Sequence, residues 1–486
     1  MPPKIPSIAV QNNVTDTVIN GFSDTDPAKK CGSKSCTTLL ELGAFMPVSS
    51  TVITPPSGDS YSPTTTFVPM PHLSATLRIE DAPSANKSTK VTGYIGFGFE
   101  PPYTMSIKSY GNKERKDLLN QAAQAQTYEE KLDYYAQAAK LGPSTDPGLR
   151  SSEGFSLFAN LALYGAVDVQ IRSNHRLIFG FDIGVTPCLF KLSTDASVTL
   201  PGDKPSTRPD LLASLEMALS GIAPLYVLSV GYCYNSARGI FCLSLAYTPS
   251  QDVSTTGKVN ISELPSNSAL KGGEVTQNNQ DGNAAMRMEG FSPHKITAQF
   301  DYQSPQKIFK LGIQATISLP REFSAQVTTQ GVQIINAGAL GGKIFTPDAI
   351  NIKIPFNLGT EFLLTAGFDF VKTLRHELGL SLAGAIRLPD VLPENHSLLS
   401  SALAASIGNP TYTAGVQLAY QRNFDTASVR FHAGGGYTHT SFEIPDKQGT
   451  KPIDITKQEG GPNIYRAGTQ VETKTPFASA GVKITF

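Results

Sequence analysis

A chain of 486 residues is long enough for two or three soluble domains or for one large barrel, so length does not divide it. Only 16% of its residues are charged and 40 basic residues balance 40 acidic ones, which argues against nucleic acid or an anionic membrane surface as partner. Trp is absent, but 17 Tyr and 25 Phe can supply interfacial aromatics, and five Cys leave at least one thiol unpaired within the chain.

Taken from the start, Met1-Pro2-Pro3-Lys4-Ile5 lacks the apolar core of a secretory signal, and a signal is expected to have been removed ahead of it. From residue 37 onward, apolar residues alternate with small or polar ones in segments of about ten residues. The segments are 37–46, 67–79, 90–100, 155–171, 176–187, 223–234, 239–261, 290–303, 307–330, 349–371, 375–388, 410–422, 427–440 and 476–486. Their even number, about fourteen, suits a closed transmembrane antiparallel β-barrel, an all-β fold. Soluble sandwiches and propellers also alternate, but with strands nearer 5–6 residues. In the hairpin 410–440, Tyr412, Ala414, Val416, Leu418 and Tyr420 oppose Thr413, Gly415, Gln417 and Gln421, and the return strand keeps Arg430 and His432 on one face. The last segment sets Ala478, Ala480, Val482, Ile484 and Phe486 against Ser479, Gly481, Lys483 and Thr485.

Two stretches break the period of two. Lys113 to Leu141, rich in Ala, Gln and Leu and stopped by Gly142-Pro143, predicts a helix. Asp210 to Ser220 predicts a shorter one, with Asp210 as N-cap and Leu211, Leu212, Leu215 and Leu219 as an apolar stripe suited to a capture groove. Met217 to Ala237 is uncharged and long enough for a membrane helix, but Pro224, Gly221 and Gly231, and alternation from Leu225 onward, point to a strand.

Cys233 and Cys242 flank the turn Asn235 to Gly239, so symmetric pairing sets them opposite one another and makes a disulfide feasible. Cys31 and Cys36 can close a small loop in the same way, which leaves Cys188 free. Histidines 72, 175, 294, 376, 396, 432 and 439 show no spacing for a metal, and neither a Gly-x-Ser-x-Gly elbow nor a phosphate-cradling Gly-Lys-Ser/Thr loop occurs. No enzyme, cofactor or metal is expected.

Several local features, in order, resemble the FadL/TodX family of outer-membrane transporters for long-chain fatty acids and aromatic hydrocarbons. Ser23-Asp24-Thr25-Asp26-Pro27-Ala28 is similar to that family's Asn-Pro-Ala hatch motif, with Asp26 in place of Asn. Gly43-Ala44-Phe45-Met46-Pro47, then Phe67-Val68-Pro69-Met70-Pro71-His72-Leu73, resemble its first two strands. Val91-Thr92-Gly93-Tyr94-Ile95-Gly96-Phe97-Gly98-Phe99 running into Pro101-Pro102-Tyr103 resembles its Gly-rich third strand, and Tyr247 to Val259 its long strand after a tyrosine-rich hairpin. The helix at 113–141 has no counterpart in the family's usual layout.

The resemblance implies a hatch, residues 1–38, carrying Asp26, Pro27 and Ala28 within a barrel of residues 39–486, with long extracellular loops at 101–154, 188–222 and 262–289. It implies uptake of a hydrophobic ligand, most of all a fatty acid: loop capture, hatch movement, and lateral exit through the wall into outer-membrane lipid. Gly93, Gly96 and Gly98 are the candidates for that opening, since glycine weakens strand pairing; the other reading is that small residues fit a crowded lumen. Valine at Gly96 is expected to cut uptake and spare assembly. Lys191 and Arg172 are candidates for a ligand carboxylate, or else are solvated rim charges. A terminal Phe486 fits recognition by the outer-membrane assembly machinery, and a monomer in the outer membrane of a diderm bacterium is expected. The rival readings are a passive or substrate-specific porin for polar solutes, given inward Gln417, Thr365 and Asp369, and a surface adhesin or antigen acting through its loops.

Overall fold

The computed structural model describes residues 29–31, 34–48, 50–54, 70–81, 89–109, 152–172, 174–198, 211–264, 279–319, 321–330, 334–335, 344–345, 350–356, 359–388, 411–443 and 470–486, with scattered positions in 121–134. The first strands are β1 (Lys29–Cys31), β2 (Lys34–Pro47), β3 (Ser50–Thr54), β4 (Met70–Asp81), β5 (Thr89–Ser109), β6 (Ser152–Ile171), β7 (His175–Val198) and β8 (Leu211–Ser236). Next come β9 (Gly239–Thr248), β10 (Gln251–Leu264), β11 (Asn279–Ser292), β12 (Lys295–Gln303), β13 (Phe309–Ser318) and β14 (Arg321–Gln330). A separate hairpin, β15 (Ile334–Ile335) with β16 (Ile344–Phe345), precedes β17 (Ile350–Phe356), β18 (Thr360–Lys372), β19 (His376–Leu388), β20 (Thr411–Asn423), β21 (Ser428–Glu443) and β22 (Gln470–Thr485).

Consecutive strands lying end to end make single staves: β3 continues β2, and β9 with β10, β11 with β12, β13 with β14 and β17 with β18 each form one. The result is a closed antiparallel barrel of 14 staves. Closure is direct, because β2 pairs with β4 on one side and β22 on the other, and Thr38 and Phe486 exchange backbone hydrogen bonds of 2.7 and 2.9 Å. An edge-free sheet leaves no row of backbone groups to be satisfied by lipid, which is why a strand protein in a membrane must close. Turns at one end are tight, as at Ala237-Arg238 between paired Ser236 and Gly239, whereas connections at the other end are long.

The outer surface carries a belt of large apolar side chains on successive staves: Ile95 is 60% exposed, Leu163 67%, Ile183 52% and Leu228 61%. A soluble wall would not leave such a band in water; it is the lipid-facing girdle of a membrane-spanning barrel. Tyr–His pairs edge the belt in place of Trp. His175 Nδ1 lies 2.7 Å from the Tyr232 hydroxyl and His376 Nδ1 2.8 Å from that of Tyr420 at the tight-turn end, and Tyr247 meets His294 at 2.7 Å at the other. No helix among the described residues is long and apolar enough to cross a membrane.

The stretch Asp210–Ser220 is not a helix: residues 211–220 open β8, which runs unbroken to Ser236. A leucine stripe at 211, 212, 215 and 219 fits period 3.6 as well as two, and pairing with β7 and β10 decides for the strand. Strands likewise extend into the expected long loops, narrowing the connections to 110–151, 199–210 and 265–278. Within 113–141, Gln121, Gln124, Glu130, Asp133 and Tyr134 are helical, and Thr127 Oγ1 accepts a hydrogen bond from the Glu130 amide at 3.3 Å, an N-cap that divides the segment.

Cys233 and Cys242, direct cross-strand partners with Cα atoms 4.1 Å apart, are joined by a disulfide. Cys36 is also oxidised and Cys188 is free and buried, whereas the side chain of Cys31 lies outside the described residues. Such bonds persist in an oxidising compartment. Peptide mapping without reductant is expected to recover Cys233 linked to Cys242 and Cys31 linked to Cys36, with Cys188 alone alkylated after denaturation; a Cys188 cross-link would contradict this pairing.

Candidate ligand chamber

At the height where β9 gives way to β10, the two faces of the wall exchange character. Below it, Leu243, Leu245 and Tyr247 face lipid while Cys242, Ser244 and Thr248 are buried inward; above it, Val253 and Val259 are buried and Asp252, Ser254, Thr256 and Lys258 are exposed. Proline, which cannot donate to a ladder, stands in the breaks at Pro249 and Pro293, and Gly359, with φ of 72°, stands in the break between β17 and β18.

Above the breaks the inner wall is largely apolar, with Gln251 and Thr255 also buried in it. Leu219, Val259 and Ala284 form a buried cluster with Met217 and Met286 packed on it, Val253 and Met288 are buried nearby, and Leu225, Val227 and Ala246 form a second cluster at the level of the break and just below it. Each such side chain favours an apolar occupant by roughly 1.5–3 kcal/mol if fully buried, and unbranched methionines adapt to irregular shapes. A polar exterior around this interior makes the long-loop half a cup with an apolar lining.

Below the breaks the lumen carries more polar groups and several of its charges are paired, beside a buried apolar cluster of Tyr94, Ala166, Ile178, Cys233 and Cys242. Arg176 binds Asp168, Arg78 lies 2.6 Å from Glu80, which also meets Lys90 at 2.8 Å, and His72 Nε2 is 3.6 Å from Glu41. Gln299, Gln314, Gln417, Thr365 and Ser381 are buried on the opposite wall. Between cup and lumen sits an unequal group. Arg387 donates to Glu361 at 3.0 Å, each side chain 5% exposed, and Lys295, also buried, lies within electrostatic reach of both. Two cations share one carboxylate there, one ladder step below Gln251 and Ser292.

Neither predicted carboxylate ligand is in this place. Arg172 occupies the β6–β7 turn with φ of 59°, exposed at the tight-turn end, where a left-handed residue closes the loop. Lys191 is exposed on the outer face of β7, opposite Ala218. Of the four leucines, only Leu219 has a described side chain, and it points into the cup rather than a surface groove. The hatch residues Asp26, Pro27 and Ala28 lie outside the described residues. Ladders on both sides of β5 run without interruption through Gly93, Gly96 and Gly98; the register shifts only beyond them, between Glu100 and Tyr103. Gly96 is the floor under a ring: its partner Tyr164 lies across it, with the hydroxyl 2.6 Å from Thr76 Oγ1. Gly43 under His72 and Gly436 under Phe477 repeat this cross-strand pairing of a glycine with a ring. Sequence reasoning passed over Lys295, Glu361 and Arg387, although a charge on the inward phase of a membrane strand was the signal that could have found them.

No protein-family model matches the chain, and no curated protein matches its sequence. Among solved structures, a Pseudomonas aeruginosa FadL homologue aligns over 92% of this chain and 90% of its own, with a TM-score of 0.50 at 10% identity. The P. putida toluene transporter TodX aligns over 92% and 89% with a TM-score of 0.48 at 12% identity, and the Ralstonia pickettii toluene transporter TbuX over 92% and 88% with 0.42 at 9%. The first likeness shows the fold: this chain is a membrane-spanning barrel of the FadL type.

Proposed function

We propose that the chain takes up hydrophobic small molecules across the outer membrane, with long-chain fatty acids as cargo. The observation that carries this reading is the inversion of the wall, a largely apolar cup standing on a more polar lumen with several paired charges. Long connections at the cup end capture the molecule, the cup holds its chain, and the N-terminal segment 1–38 acts as the hatch that moves. Descent through the lumen is the losing route. Each methylene moved from an apolar to a hydrated site costs about 0.8 kcal/mol, so a chain of roughly sixteen carbons would lose on the order of ten kcal/mol. Exit through the wall into lipid avoids that loss.

Lys295 and Arg387, sharing Glu361 at the foot of the cup, suit an acidic headgroup, whose carboxylate would balance the second cation. Buried Gln and Thr side chains on the opposite wall favour a second reading, a channel for polar solutes. Binding of a fluorescent long-chain fatty acid to the refolded barrel, with unlabelled acid and toluene as competitors and a variant lacking residues 1–38 alongside, tests the first. Saturable, competable binding is expected. A folded barrel that bound nothing yet gave a large steady conductance in planar bilayers would replace it with the second.

A further inference from the structure

Charge is sorted along the height of the barrel. At the tight-turn end, every turn among the described residues carries or adjoins a cation: Arg172 between β6 and β7, Arg238 between β8 and β9, Lys307 between β12 and β13, Lys372 and Arg375 at the β18–β19 turn, and Arg422 ahead of the β20–β21 turn. Asp425 is the one acid in these turns. Arg172, Arg238, Lys372, Arg375 and Arg422 are exposed, and none of them forms an ion pair among the described residues. Arg172 and Lys307 also hold φ of 59° and 54°, and are the only residues other than glycine with positive φ among those described. Glycine or asparagine takes that conformation more easily, so in both turns a cation stands against the preference of the backbone. Apolar tips accompany the charge: Leu374 is 95% exposed, and the Arg422 guanidinium carbon lies 5.1 Å from the centre of the Phe424 ring. Asn423 fastens these neighbouring turns together, its amide donating to the Arg375 carbonyl at 2.8 Å and its side-chain nitrogen to that of Leu374 at 3.2 Å. At the long-connection end the described outer face is balanced instead. Arg287 pairs with Glu289 and Lys474 with Glu472, each at 2.9 Å, and exposed Lys191 and Lys258 are matched by Glu216 and Asp252.

We propose that the tight turns form a cationic ring that binds the headgroups of anionic phospholipids in the leaflet at that end of the barrel. Neutrality of the whole chain, which argues against an anionic surface as partner, conceals this local excess. Short turns of outer-membrane barrels face the periplasm, where the leaflet is built of phospholipid. The pairs His175–Tyr232 and His376–Tyr420 edge the lipid-facing belt at this end, so the turn cations stand just beyond it, at the height of the headgroups. Leu374 and Phe424 add apolar tips suited to a lipid interface. The cations are spread from the β6–β7 turn round to the β20–β21 turn, which matches a leaflet that surrounds the barrel. A soluble acidic protein would approach from one side and need them gathered there. The inference rests on the outer-membrane placement proposed above and not on the cargo.

The chain has no Trp, so a single one reports on a single place. Leu374→Trp and Ala237→Trp, on separate turns, are made one at a time in the full barrel, which is reconstituted without cargo in phosphatidylcholine vesicles holding some phosphatidylglycerol. A nitroxide on the upper acyl chain of either lipid quenches the reporter according to how much of that lipid lies beside the turn. Phosphatidylglycerol is expected to be enriched on the order of fivefold over phosphatidylcholine at both reporters. The enrichment should vanish at position 374 when Lys372→Gln, Arg375→Gln and Arg422→Gln are combined, and at position 237 with Arg238→Gln. It should also vanish, with every cation in place, in 1 M salt, where screening acts over about 3 Å. Heat-modifiability checks that each variant is folded, and the salt series needs no cation variant. Equal quenching by the two lipids at both reporters overturns the ring, as does enrichment that survives neutralisation or salt. Enrichment at one reporter alone overturns it too, and marks a one-sided face for an acidic protein. None of these outcomes depends on whether the barrel binds a fatty acid.

Discussion

Replacing Lys295 by methionine is expected to remove the barrel's preference for a fatty acid over its matching alcohol without weakening the fold. Charge-assisted hydrogen bonds contribute about 1.5–3 kcal/mol, so the preference should fall by roughly 10–150-fold. Stability is spared because methionine fills the lysine stem's space and removes a buried cation whose counter-ion, Glu361, already has Arg387. Competition of labelled fatty acid by acid and alcohol, beside a heat-modifiability assay, measures both. An unaltered preference would make Lys295 purely structural. Arg387 offers no such clean variant, since its loss leaves a buried carboxylate without its strongest partner, at about 3–5 kcal/mol.

Valine at Gly96 is the second large effect, and it falls on folding. A side chain there would meet both the Ala75 carbonyl oxygen and the Tyr164 ring well inside contact distance, and neither has room to give within the paired sheet. Overpacking of about 1–3 kcal/mol, added to roughly 1 kcal/mol for the displaced Tyr164–Thr76 hydrogen bond, is a large share of a marginal stability. Gly96→Val should therefore refold in low yield, whereas Gly98→Ala, whose nearest neighbour is the Tyr164 ring at 3.6 Å, should refold normally. Equal yields would show that Tyr164 can move aside. This expected result takes the place of spared assembly, because the glycine read as a weak point in the ladder is the seat of a ring.

Alternation made the staves legible: each of the segments from 37–46 to 476–486 is a stave or part of one. It could not mark where they end, because above the belt nothing obliges a strand to stop when the membrane does, so β7 and β8 run on to Val198 and back from Leu211. The apolar stripe 211–219 misled for that reason, Leu219 serving a cup lining rather than a helix face. Disulfide pairing across Asn235–Gly239 was readable from symmetry about one turn. The Lys295–Glu361–Arg387 group was not, since its members come from three staves and meet only through register: Lys295 opposite Ser318, Glu361 opposite Thr316, Arg387 opposite Glu361.

The inversion at the breaks also bears on how the barrel finds one alignment. A slip of one residue along β9 and β10 would turn Leu243 and Leu245 into the polar lumen and, in the same motion, Val253 and Val259 into water and Lys258 into the cup. A stave of uniform phase is proofread by lipid alone, over the length that lipid touches. Here solvent and membrane reject the same error from opposite faces, so the kinked staves penalise misalignment along their whole length, including the part that no bilayer ever contacts.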